Sequence, residues 1–159
     1  MFLLAFAAFL RVGEMTVSNK NTENVLKLNN LKKCQQIDGI MLKFTDFKHS
    51  KGRSVSIRIP RTGGVFCPVY AWEQYFVQRR SFQSDYLFCW PDNGPIKREQ
   101  FAQTMKQVIE FIGLNTRLYT SHSFRIGAAC NALSRGYSDA QIREMGRWQS
   151  DAFKTYFRV

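Results

Sequence analysis

The sequence predicts a mainly α-helical domain with a small antiparallel β-sheet packed at one edge, an α+β fold. Three observations predict it. Several segments carry apolar residues at helical spacing, as Phe101, Met105, Val108, Ile109 and Ile112 do within residues 97–113. Residues 54–60 instead alternate Val55, Ile57 and Ile59 with Ser56 and Arg58, the period of a half-buried strand. A basic, glycine-containing stretch, FKHSKGRS, separates them from a second strand-like run at residues 39–47, so the two read as a hairpin. With 159 residues and no repeat, linker or low-complexity tract, the chain reads as one domain able to bury a core.

Taken in order, MFLLAFAAFLRVGEMTVSN is a dense apolar run that becomes amphipathic, which predicts a buried helix ending near Ser18 and Asn19. Its apolar start, Met1 to Leu10, is too short to span a bilayer and lacks a basic leader, so no membrane partner is expected. Arg11 lies against this run with Glu14 one turn on. An arginine there is costly unless it meets an anion, and two readings stay open: a held anion, or a surface ion pair with Glu14. Residues 19–36 form a polar connection containing a short strand at residues 25–28. A Gly-rich loop at 61–66 precedes a helix that starts at Pro68, runs to about Arg80, and turns Trp72, Tyr75 and Phe76 to the core. Residues 86–90 read as a short extended piece bounded by a turn at 91–95, and Gly113 stops the helix of residues 97–113. Ser121 is expected to cap a helix carrying His122 and Arg125 and running through Ala128, Ala129 and Ala132 to Gly136. Small alanines admit a closely packed neighbour. Ser138 caps the next helix, DAQIREMG, and a last helix starts near Ser150 or Asp151 and carries Tyr156.

Lys and Arg outnumber Asp and Glu by 23 to 12, a net charge of +11 that suits a polyanion, nucleic acid before any other. The plainer alternative is a soluble basic protein. Cys34, Cys67, Cys89 and Cys130 are scattered and share no ligand spacing with the histidines, so neither a metal site nor a cofactor is expected and the thiols read as reduced and intracellular. His122 and Arg125, at i and i+3, can share one helix face and grip a small anion. Arginine offers a fixed fork of donors for phosphate oxygens, and histidine can move a proton near neutral pH. Tyr156 supplies a hydroxyl nucleophile, given donors that stabilise the charge built up in attack, and Trp148 has an N–H that can only donate.

The segment TSHSFRIGAACNALSRGYSDAQIREMGRWQSDAFKTYFRV, residues 120–159, resembles the C-terminal half of the tyrosine recombinase (phage-integrase-type) catalytic domain. HSFRIGAA and MGRWQSDAFKTYFRV look most like recombinases of eukaryotic mobile elements of the DIRS and Crypton kinds. The resemblance implies the DNA breaking–rejoining fold and a site-specific recombinase or integrase, which cuts and rejoins double-stranded DNA through a covalent 3′-phosphotyrosine intermediate. It implies Tyr156 as nucleophile, Arg11 (in FLRVGE) and Arg125 as clamps on the scissile phosphate, His122 as a donor or proton carrier, and Trp148 as a further donor. It also implies a hairpin lysine that protonates the leaving 5′ oxygen; Lys48 matches best and Lys51 is the fallback. Arginines then stand where many nucleases use a metal cation. A homo-tetramer on paired DNA sites and a nuclear location follow from the same resemblance.

Two departures from the family pattern stand out. Trp148 to Tyr156 spans eight positions where bacterial and phage relatives usually show nine. Met1 falls inside the family's arginine-bearing helix, so residues 1–159 are expected to be the C-terminal catalytic domain without the N-terminal core-binding domain and with the first helix truncated. Tyr119 and Tyr137 are rival tyrosines but read as packing residues. A catalytically inactive or domesticated DNA-binding protein that keeps the fold is the competing function. A type IB topoisomerase ranks below both, because HSFRIGAA and GRW are more recombinase-like.

Overall fold

Leu4, Ala5, Ala8 and Leu10 are buried at the centre of the fold in a computed structural model that describes residues 1–19, 22–45, 52 and 54–157. They begin on α1 (Phe2–Ala7), but the helix expected to reach Ser18 or Asn19 is interrupted and resumes only as α2 (Val12–Met15). The interruption has a clear cause in the backbone. Phe9 takes φ 51, its N–H bonds the Phe6 carbonyl at 3.3 Å, and the Leu10 N–H bonds the Ala5 carbonyl at 2.9 Å. This closure of a helix end normally falls to glycine, because a left-handed residue with a bulky side chain is strained. Burial of the Phe9 ring against Ala128 and Ala129 offsets the cost. The apolar pattern runs straight through the break, which is why periodicity does not reveal it.

The sheet has three antiparallel strands in the order β1 (Leu31–Lys33), β2 (Gly39–Phe44), β3 (Val55–Pro60). The expected hairpin is present, with register from Gly39 opposite Pro60 to Phe44 opposite Val55. Ile40, Leu42, Phe44 and Ile59 point into the core. Residues 46–51 and 53 of the segment between β2 and β3, with Lys48 and Lys51, lie outside the described residues. The strand expected at residues 25–28 is displaced to Leu31–Lys33. Val25 and Leu26 are both buried, so they do not alternate, and Asn30 Oδ1 accepts the Lys27 N–H at 2.7 Å to start a 3₁₀ turn at Leu28–Asn30.

Helix α3 (Pro68–Arg79) starts on its proline, and α4 (Arg98–Phe111) ends before Gly113, whose φ of +75 suits a residue without Cβ. Phe101, Met105 and Ile109 face the main core, whereas Val108 and Ile112 stay exposed. Helix α5 (Ser123–Ser134) starts later than expected, and Ser121 does not cap it. Thr120 Oγ1 accepts the His122 N–H at 3.2 Å and Ser123 Oγ accepts the Thr120 N–H at 3.0 Å, which leaves His122 as the N-cap residue. Ser138 does cap α6 (Asp139–Gly146), its Oγ accepting the Gln141 N–H. The last element is a 3₁₀ helix, Asp151–Tyr156, rather than an α-helix. Ala128, Ala129 and Ala132 of α5 meet Phe9, Ile142 and Phe153 in a second small core that lies under the C-terminal segment. The four cysteines are free, and among the described residues no helix is long and apolar enough to cross a membrane.

Candidate active site

The start of α5 and the final 3₁₀ helix bring His122 and Tyr156 together. His122 Nε2 lies 2.8 Å from the Tyr156 hydroxyl, and the two rings meet edge-on. The Cys130 thiol donates to the Tyr156 carbonyl at 3.2 Å and ties the last turn to α5. Trp148 stands next to them, its ring 6.0 Å from that of Tyr156 and 5.3 Å from that of Phe153. The Arg125 guanidinium lies against the Trp148 face at 4.1 Å, a cation–π contact.

Arg125 is 1 % exposed. Its Nη1 donates to the Phe9 carbonyl at 2.6 Å and its Nη2 donates to the Gly146 carbonyl. His122 and Arg125 therefore do not point at one spot. The imidazole faces outward to Tyr156, while the guanidinium is drawn inward by carbonyls that two left-handed residues, Phe9 and Arg147, set in place. Arg11 is partly exposed and pairs with Glu14, Nη1 to Oε1 at 3.1 Å, while Glu14 Oε2 accepts the Arg11 N–H at 2.8 Å. The Glu14 side chain is only 7 % exposed, so the pair is no ordinary surface ion pair. The structure thus gathers Arg11, His122, Arg125, Trp148 and Tyr156 into one neighbourhood, and Lys48 and Lys51 lie outside the described residues. Of the rival tyrosines, Tyr137 packs on the small core as expected, whereas Tyr119, expected to pack, is exposed ahead of α5.

One residue of this neighbourhood escaped the sequence reading. Arg147, the middle letter of GRW, has φ 56 and a side chain 1 % exposed. Its Nη2 bonds Glu14 Oε2 at 2.8 Å, its Nη1 donates to the Ala8 carbonyl at 3.1 Å, and its face lies 3.9 Å from the Phe44 ring. The signal was the spacing itself, since Arg147 stands nine positions before Tyr156 and Trp148 eight. The left-handed turn sends the Trp148 N–H back to the Arg143 carbonyl at 3.0 Å, and a 3₁₀ helix, which rises more per residue, carries Tyr156 to the indole. The shorter spacing is absorbed in that way. Gly146 is needed at the turn because a Cβ there would fall 1.6 Å from a Trp148 ring atom.

Three guanidinium groups gather here around one buried carboxylate, Glu14, which pairs with Arg11 and Arg147 while Arg125 is held by carbonyls, so the cluster carries excess positive charge. Burial, then Arg11 and Arg147, push Arg125 down to about 9. Partial desolvation on its inner side, then Arg125 and Arg11, hold the largely exposed His122 below its ordinary 6.5, so the imidazole is neutral at pH 7 and can accept the tyrosine proton. Because the folded value is the lower one, this histidine's contribution to stability is complete above 6.5 and is lost as pH falls through the depressed value. The chain has two histidines, so imidazole resonances assigned with His122→Asn give a direct check. The His122 midpoint is expected below 6.5, and a midpoint at or above it contradicts this electrostatic picture.

No family model and no curated protein matches the sequence. Solved structures do match the fold. The XerH site-specific recombinase bound to difH substrate, in a pre-cleavage complex, superposes with a TM-score of 0.73 at 15% identity, over 99% of this chain and 41% of that one. The XerA recombinase gives 0.73 at 20% identity, over 98% and 51%. This is the tyrosine recombinase catalytic-core fold. The Tn1549 transposon integrase in complex with transposon right end DNA shares it at a TM-score of 0.60 and 11% identity, over 99% of this chain and 53% of that one. The chain spans about half or less of the length of these structures. At such identities the likeness is one of fold, and the recombinase reading of the site rests on its residues.

Proposed function

We propose that residues 1–159 form the catalytic domain of a site-specific DNA recombinase or integrase that cuts and rejoins strands through a covalent 3′-phosphotyrosine intermediate. The observation that carries this reading is the Tyr156 hydroxyl held 2.8 Å from His122 Nε2, beside guanidinium groups that outnumber their carboxylate. Tyr156 Oη attacks phosphorus as its proton passes to His122; the Tyr156 O–P bond forms and the bond to the 5′ oxygen breaks. That oxygen takes a proton, for which Lys48, or Lys51, on the β2–β3 turn is the proposed donor. A 5′ hydroxyl attacking the phosphotyrosine reverses the step, so rejoining needs no ATP.

Arg11, partly exposed, takes the first hold on the non-bridging oxygens. Arg125 is covered by the Trp148 ring, so a phosphate reaches it as the indole shifts, and the indole N–H can then donate as well. Double-stranded DNA as partner is supported by the +11 charge and by the DNA in the XerH and Tn1549 integrase structures. The similarity of HSFRIGAA and MGRWQSDAFKTYFRV to DIRS and Crypton recombinases supports an origin in a eukaryotic mobile element, work in the nucleus, and a homo-tetramer on paired sites.

The test is a nicked suicide duplex built from the DNA that flanks the gene, incubated with the protein and resolved under denaturing conditions. An SDS-resistant protein–DNA adduct is expected. Retained DNA binding with no adduct on any flanking site would leave a DNA-binding protein that keeps the fold and not the reaction.

A further inference from the structure

We infer that Arg147 is a positioning residue that sets the Arg11 and Arg125 guanidinium groups relative to each other, an inference that rests on the strand-transfer reading above. Among the described residues, positive φ outside glycine occurs at Phe9, Asn93 and Arg147. Two of these three meet in the site, where Arg147 Nη2 reaches the Phe9 carbonyl at 3.4 Å. Left-handed conformations of bulky residues persist only where the surroundings over-determine them, and they gather at functional sites.

The bonding pattern shows what is being determined. Arg147 holds the same carboxylate that Arg11 holds, Glu14, and reaches the same carbonyl that Arg125 holds, that of Phe9. One planar fork with fixed donor angles therefore links the anchors of both other arginines. The backbone on either side completes the link: the Gly146 carbonyl accepts from Arg125 Nη2, and the left-handed turn sets Trp148 over the Arg125 face. Arg147 itself, its side chain 1 % exposed and closed off by Phe44, spends its terminal donors on Glu14 and on the Ala8 and Phe9 carbonyls. Its Nε has no hydrogen-bond partner among the described residues, and a second buried cation in a cluster with one carboxylate is a poor way to obtain stability alone. Lysine could keep the Glu14 contact but has no planar fork to hold the Ala8 and Phe9 carbonyls with it.

The experiment compares the whole chain with Arg147→Lys by thermal melting, DNA affinity, single-turnover adduct formation at saturating DNA, and titration with inorganic phosphate followed on the Trp148 indole N–H resonance. Arg147→Lys is expected to fold and to bind DNA within about threefold of the parent, since surface phosphate contacts are untouched. Its adduct formation should slow by about 10²-fold and its phosphate affinity fall by about tenfold, the result of misplaced rather than missing groups. Unchanged cleavage and phosphate response overturn the inference. Should Arg147→Lys fail to fold, Arg147→Met combined with Glu14→Gln removes both buried charges and is compared with Glu14→Gln alone; phosphate response and cleavage lower in the double variant than in Glu14→Gln support positioning by Arg147, and equal function in the two overturns it. If the parent forms no adduct, the strand-transfer reading falls, while the phosphate titration still decides the role of Arg147.

Discussion

Tyr156→Phe is expected to abolish the covalent adduct while leaving DNA binding in place. The substitution removes one oxygen, and with it the atom that forms the new bond to phosphorus. Loss of a nucleophile that works as one unit with its base and charge-stabilising partners should lower the single-turnover rate by at least about 10³-fold. The hydroxyl bonds an exposed histidine, so folding should lose no more than about 1 kcal/mol. Affinity for duplex DNA and its salt dependence should change little, because both follow from the cations and not from this hydroxyl. Adduct persisting in Tyr156→Phe would move the nucleophile elsewhere, with Tyr137 and Tyr119 the first places to look.

The second large effect is on the fold. Glu14→Ala leaves Arg147 buried without its anion and Arg11 without its partner. Removing one side of a buried ion pair typically costs about 3–5 kcal/mol, a large part of the stability of a domain this size. Glu14→Ala should therefore melt far below the parent protein, or fail to fold at physiological temperature. A melting point within a few degrees would show that Glu14 is not the neutralising centre of the arginine cluster. The same substitution should weaken phosphate binding even at low temperature, where the fold survives, because Arg11 loses both the side-chain and the backbone bond that orient it.

Much of this was legible in the sequence. Alternation at Val55, Ile57 and Ile59 marked β3 and its hairpin, proline at 68 and glycine at 113 marked helix ends, and Ser138 marked the start of α6, because each signal depends on residues within a turn or two. The residue types of the candidate site were legible as well, since HSFR, GRW and the Tyr156 neighbourhood are short motifs whose chemistry follows from side-chain identity. What only the tertiary structure decided concerns long-range capture of backbone groups. The break of the first helix at Phe9, the inward turn of Arg125, and the burial of Arg147 are one event: a left-handed turn presents the Phe9 carbonyl to guanidinium groups more than a hundred residues away. Local pattern cannot report it, because Phe9 and Arg147 look like ordinary apolar and basic residues and neither has the glycine that such a turn usually requires. The strain at each is sustained by the other's side of the fold, so the sequence determined which groups are available and the packed structure determined which of them face each other.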